Sequence, residues 1–234
     1  MATFVLVHGT TAGGWVWKPI AAELEAAGHT VYRPSLTGLG ERTHLLTRDV
    51  GALTHITDIV NLFEFEDLDE VVLVGHSYGG LVITGVADQL PDRIRELIYF
   101  DAVVPEDGES AMSGTDPETL AADKKRVDAE GDGWLVPVDG GPIEQRSKNR
   151  PHPYKSWIEP IRLTNPAREA VPATYVRFTR DKEPGSLWWK RMERNWARAQ
   201  AKGWRLREVD TVHQIMPDPM PKAQVLLELY PAGT

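Results

Sequence analysis

Six short runs of apolar, β-branched and aromatic residues punctuate the chain, at Thr3–His8, His29–Pro34, Glu70–Gly75, Leu97–Asp101, Ala173–Thr179 and Arg205–Val209, each bounded by Gly, Pro or polar residues. Several show no apolar–polar alternation, which predicts strands covered on both faces. Between most of them the spacing turns helical. Ile20, Leu24 and Ala27 share one face of Trp17–Ala27, and Ile56, Ile59, Val60 and Phe63 share one face of Ile56–Phe65. Strands alternating with helices predict an α/β fold with a doubly wound, mostly parallel sheet, here of six strands.

The alternation breaks once. From Val104 to about Val171 the chain is rich in charge, Gly and Pro, yet it carries Trp134, Tyr154 and Trp157. A structureless loop of that length is improbable in a compact domain, so the stretch is expected to hold short helices of its own. It is read as a small lid over the C-terminal edge of the sheet, inserted at 104–171 into a core formed by 1–103 and 172–234. Its three aromatic residues would give a substrate pocket an apolar wall. The charged stretch Lys190–Arg198 reads as a solvated helix face that turns Trp189 or Trp196 inward.

Composition narrows the chemistry. The 234 residues suit one α/β domain and contain no cysteine, so a disulfide framework, thiolate metal sites and a thiol nucleophile are excluded. A nucleophile must come from a hydroxyl, carboxylate, amine or imidazole. The formal net charge of −8 provides no broad positive field for a polyanion, which argues against a nucleic-acid partner. The first apolar run follows no basic segment and ends by His8, too short for a signal sequence or a membrane span. A cytoplasmic protein without a membrane partner is the expectation.

The most informative segment is Val71–Gly80, VVLVGHSYGG, where a buried-strand pattern runs into Gly75-His76-Ser77-Tyr78-Gly79 and then a helical segment, Leu81–Leu90. G-x-S-x-G at a strand-to-helix junction is a nucleophile elbow. A tight turn there holds the serine in a strained conformation, and side chains in place of the glycines would collide across it. Ser77 would project alone into a pocket, with the Tyr78 N–H at the helix start aimed at the same spot. The segment lacks the lysine and the glycine spacing of a phosphate loop. A second glycine-rich turn, His8-Gly9-Thr10-Thr11-Ala12-Gly13-Gly14, follows the first strand and can supply the Thr10 N–H as a second oxyanion donor.

A serine hydroxyl needs a base, and histidine is the usual one. Only His152 and His213 follow Ser77. His213 lies in the loop after the last strand, where the sheet edge would present it, and is the expected base. His8 and His76 are expected beside the site. For the acid, Asp181 follows the strand Ala173–Thr179 and is favoured; Asp101, which ends the preceding strand, is the second choice. Asp210, three residues before His213, reads as a turn residue.

These residues together resemble the α/β-hydrolase superfamily over nearly the whole chain. FVLVHGTTAGGWVW, GHSYGG, YFDAVVP, TRDK and the late His213 are similar to the branch of plant methyl-ester esterases and hydroxynitrile lyases with their bacterial esterase relatives. That resemblance implies Ser77, Asp181 and His213 as the triad, although some dehalogenase relatives carry the acid at the place of Asp101. It also implies features that separate the chemistries. Lyases of the branch resemble one another in Thr after the first-strand His, Glu before the nucleophile and Lys after the catalytic His; here these places hold Gly9, His76 and Gln214. Gln214 cannot supply the cation that would stabilise leaving cyanide. The expectation is therefore a serine carboxylic-ester hydrolase that needs no cofactor or metal and takes a small ester, with Gly9, His76, Trp134, Tyr154 and Trp157 around the substrate. Hydroxynitrile lyase-like or other C–C chemistry, or a ligand receptor on the same fold, are the alternatives, and a homodimer is left open.

Overall fold

In the computed structural model, residues 1–138, 148–180 and 187–232 are described. Six parallel strands form the main sheet in the order β2-β1-β3-β4-β7-β8. The strands are β1 (Thr3–Val7), β2 (Thr30–Tyr32), β3 (Val71–His76), β4 (Ile94–Phe100), β7 (Ala173–Phe178) and β8 (Arg205–Val209). Each agrees with a predicted run to within a few residues. Helices α1 (Lys18–Ala26), α2 (Ala52–Phe65) and α3 (Gly79–Gln89) connect the first strands, and α6 (Leu187–Ala201) and α7 (Pro219–Leu229) complete the layers.

The non-alternating apolar pattern has a direct cause. Val5 and Val7 of β1, with Leu73, Tyr99 and Tyr175, pack on one face of the sheet against Ile56, Ile59 and Phe63 of α2 and Leu81 and Val82 of α3. Phe4 and Leu6, with Val72, Val74, Phe100 and Val176, pack on the other face against Ile20 and Leu24 of α1 and Val225 and Leu226 of α7. Each such side chain contributes about 1.5–3 kcal/mol of transfer free energy, and both faces need it. In α6, Trp196 packs edge-on to Tyr175 and receives the Arg177 guanidinium 4.9 Å from its ring; the Trp189 side chain lies outside the described residues.

Between β4 and β7 the chain makes an excursion. It contains α4 (Pro117–Glu130), a two-stranded antiparallel ladder of β5 (Leu135–Val136) with β6 (His152–Pro153), and α5 (Tyr154–Ile158). Asp116 caps α4 by accepting the Thr119 N–H at 2.9 Å. Among the described residues, no helix is long and apolar enough to cross a membrane.

From β1 the chain runs outward to β2 and then returns to β3 on the other side, so the sheet has a switch point between β1 and β3. Crevices at the carboxyl ends of strands form at such points. The turns that follow β1, β3, β4 and β8 all meet there.

Candidate active site

In β3 and β4 the last paired residues are His76 and Phe100. The residues immediately after them, Ser77 and Asp101, leave the sheet with φ of 55° and 45°. Both lie in the left-handed region, which costs of order 1–3 kcal/mol each and persists only where the surroundings enforce it. Here they do: the Ser77 N–H donates to the Phe100 carbonyl at 3.2 Å and the Asp101 N–H to the Val176 carbonyl at 2.8 Å. Close packing explains the elbow's glycines. A Cβ on Gly75 would lie 2.7 Å from the Gly79 carbonyl oxygen, and one on Gly79 would lie 2.7 Å from that of Val7.

His213 Nδ1 lies 2.7 Å from Asp101 Oδ2, a contact that is both a hydrogen bond and an ion pair when the imidazole is charged. Asp101 is fully buried, and its Oδ1 accepts the Phe178 N–H at 3.4 Å. The carboxylate that the structure sets against the late histidine is thus the second choice of the sequence reading. The first choice, Asp181, lies outside the described residues. Asp210 forms a surface pair with Arg180 at 3.3 Å, in keeping with a turn residue.

His76 is nearly buried and lies against His213. Its Nε2–H donates to the His213 carbonyl at 2.8 Å, the two rings are 4.6 Å apart, and Trp17 meets it edge-on. Burial, reinforced by the nearby His213, holds the His76 imidazole well below the usual histidine range, so it serves as a neutral brace beneath His213. Gly9 fills the same corner. A Cβ there would come within 2.9 Å of Ser77 Cβ and 3.0 Å of His76 Nδ1, so any side chain would push on the elbow itself.

Lys222, which the sequence reading passed over, braces the His213 loop from behind. It is fully buried, and its Nζ donates to Thr211 Oγ1 and to the Asp218 carbonyl, both at 2.7 Å, while lying 5.1 Å over the Phe178 ring. Burial lowers its pKa to about 8, with Asp218 pulling the other way. The sequence signal was weak: one lysine in a C-terminal helix with apolar neighbours.

The turn after β1 is held by several hydrogen bonds to other parts of the chain. The His8 Nδ1–H donates to the Gly9 carbonyl at 2.8 Å, and its Nε2 accepts the Leu36 N–H at 3.0 Å. The Gly14 N–H donates to Ser35 Oγ and the Thr11 N–H to His152 Nδ1. Within the described residues, no protein acceptor engages the N–H of Thr10 or of Tyr78. Tyr78 stands at the N-terminus of α3 and adds that helix's positive end. Its hydroxyl is turned away, donating to His55 Nδ1 at 2.8 Å, and the His55 Nε2–H donates in turn to the Thr37 carbonyl at 3.0 Å.

Of the aromatic residues expected around a substrate, only Trp157 reaches this turn, donating from Nε1 to Thr10 Oγ1 at 3.2 Å. Tyr154 packs with Val127 and Val136 inside the excursion, and Trp134 carries the Arg48 guanidinium 5.2 Å from its ring. Tyr154 thus belongs to a small apolar cluster within the excursion, with Trp157 packed against it. Among the described residues, no group of three or more His, Asp or Glu side chains could hold a metal ion.

Burial pushes the His8 and His55 imidazoles down to about 4, and those of His76 and His152 well below their usual value. Unfolded, all four take up protons below about pH 6.5; folded, His8 and His55 stay neutral down to about pH 4, and His76 and His152 likewise hold off their protons well below the usual histidine range. Stability is therefore lost as pH falls through this window, at up to about 5 kcal/mol per pH unit where four protons separate the states. That slope is large against a total of about 5–15 kcal/mol. Urea unfolding at pH 7, 6 and 5 is expected to show a steep drop in midpoint; a flat midpoint to pH 4.5 would mean the imidazoles are not buried neutral.

A family model described as "Alpha/beta hydrolase family" matches residues 4–225, and the chain belongs to this family. A carbendazim hydrolyzing esterase of Nocardioides sp. (strain SG-4G) is 55% identical over 113 residues, 48% of this chain and 47% of that protein. Methylesterase 8 of Arabidopsis thaliana is 37% identical over 105 residues, 44% of this chain and 38% of that protein. The matched region thus spans under half the length of these curated relatives. Among solved structures, an extracellular alpha/beta-hydrolase from a Paenibacillus species, described as sharing structural and functional homology to tobacco salicylic acid binding protein 2, superposes with a TM-score of 0.81 at 26% identity, covering 97% of this chain and 98% of that one. The Arabidopsis methylesterase MES16 superposes at 0.70 with 23% identity over 98% of both chains and supports the fold alone.

Proposed function

We propose that this protein is a serine carboxylic-ester hydrolase acting on a small ester, with Ser77 as nucleophile, His213 as base and Asp101 as the acid that orients it. The observation that carries the reading is the 2.7 Å contact of His213 with Asp101, one strand over from a serine held in a left-handed elbow. Ser77 Oγ attacks the ester carbonyl while His213 Nε2 takes its proton, and negative charge collects on the carbonyl oxygen between the Thr10 and Tyr78 N–H groups. Collapse expels the alcohol, which receives the proton from His213. Water then repeats the sequence on the acyl-enzyme, releasing the acid and free Ser77.

The relatives named for carbendazim and for methyl esters support a small alcohol as leaving group. Gln214 lacks the positive charge that would favour cyanide elimination, and the nearby cation, Lys222, is spent on Thr211 and Asp218 behind Phe178. The ligand is a small molecule rather than a polyanion. The test is product analysis on a panel of carbendazim, methyl esters of graded acyl size, p-nitrophenyl acetate and mandelonitrile. Methanol or p-nitrophenol released in step with the cleaved substrate is expected, with no cyanide above background. Cyanide release without ester cleavage would establish the lyase reading, and tight binding without turnover a receptor.

A further inference from the structure

The excursion is hydrogen-bonded to the turn after β1. Three hydrogen bonds run from residues 150–157 onto two consecutive residues of the β1 turn. The Arg150 N–H donates to the Thr11 carbonyl at 2.9 Å, the Trp157 Nε1–H to Thr10 Oγ1 at 3.2 Å, and His152 Nδ1 accepts the Thr11 N–H at 3.3 Å. Thr11 itself is held at φ 60°, a conformation that a β-branched residue does not adopt unaided. The bond to Nδ1 fixes the tautomer, so His152 carries its proton on Nε2, which donates to Ser156 Oγ at 2.8 Å; the Ser156 hydroxyl donates to the Pro153 carbonyl. His152 is fully buried, and its ring stands 4.9 Å from the Tyr78 ring in an edge contact.

We infer that His152 is a positioning residue for the oxyanion hole: by accepting the Thr11 N–H it locks the strained turn that aims the neighbouring Thr10 N–H at the substrate carbonyl. This rests on the hydrolase reading above. Among the described residues no protein acceptor engages the Thr10 N–H, so its direction is inherited from the Thr11 backbone and from the Trp157 bond to Thr10 Oγ1. The same imidazole packs against Tyr78, the other donor, and the hole is complete only when residues 150–157 are docked on the core. The mechanism as derived from the elbow uses His213 alone and gives a second downstream histidine no task, although His152 is the one the chain buries completely.

The experiment compares His152→Asn, whose Oδ1 can replace Nδ1 as acceptor, with His152→Gln and His152→Leu, which offer none at that place. Three quantities are read: kcat and KM on a small ester, the inhibition constant of a trifluoromethyl ketone that adds Ser77 Oγ to form a tetrahedral oxyanion, and hydrogen exchange at the Thr11 amide. In the Gln and Leu variants kcat is expected to fall about 10- to 100-fold, short of the loss from removing an oxyanion donor outright. KM should change by less than about threefold, ketone affinity should fall in parallel with kcat, and the Thr11 amide should lose protection. The Asn variant should recover most of each. Unchanged Thr11 exchange in either variant would overturn the inference whatever the enzyme's reaction. So would equal losses in all three variants, or a loss confined to KM. A Ser77→Ala control that leaves turnover intact would instead count against the hydrolase reading, because Thr11 exchange is read without any substrate.

Discussion

Ser77→Ala is expected to lower kcat/KM for a small ester by on the order of 10⁵-fold or more, with substrate affinity and melting temperature little changed. The size follows from the route. Without Oγ no acyl-enzyme can form, and the residual rate is whatever water achieves in a site that still offers two N–H groups to the carbonyl oxygen. Stability should hold or rise slightly. The side chain leaves a nearly buried position, but Ala keeps the Cβ that Gly9 is shaped to accept, and the backbone bonds to Phe100, Gly80 and Val103 do not involve the hydroxyl. Alanine is as strained as serine at φ 55°, so the elbow's geometry should be inherited unchanged. Steady-state rates with far-UV and thermal controls check this; activity within tenfold of the parent would remove Ser77 from the chemistry.

Asp101→Asn should cost about 10⁴-fold in kcat at neutral pH, through the tautomer rather than the fold. Asn tolerates the left-handed backbone that position 101 requires, and its Oδ1 can keep the Phe178 N–H. The amide NH₂ then faces His213 Nδ1 as a donor. The imidazole must accept it, moving its own proton to Nε2, where it can no longer take one from Ser77. Asp181→Asn is the paired control. If Asp101 is the acid, that change should alter kcat by less than about threefold; the opposite ranking would return the role to Asp181.

How much of this was legible depended on whether the determinant was local. The six strands could be read because each must bury both faces, and Ser77 because Gly75 and Gly79 stand where a Cβ would strike backbone. His213 was found by its place after the last strand. The acid was not settled, because β4 and β7 are adjacent and end at the same edge, so a carboxylate after either could serve. Asp101 meets His213 through a turn of the backbone at a left-handed residue that nothing in YFDAVVP announces. The placements of His76, His55, His152 and Lys222 were hidden for a related reason. Each depends on a partner 11 to 141 residues away along the chain. Tyr154 packs with Val127 and Val136 in a small core that the excursion builds for itself, which its sequence alone does not distinguish from a pocket wall.

Every proposed step starts from Ser77 as the activated nucleophile of this site. A fluorophosphonate forms a covalent bond to an activated serine oxygen and loses fluoride, so the adduct records both the residue and its activation. One adduct per chain is expected, located by peptide mass spectrometry on Ser77, appearing in step with loss of esterase activity and much more slowly in Asp101→Asn. Full inactivation with the adduct on another residue, or full activity with Ser77 modified, would contradict a nucleophilic Ser77.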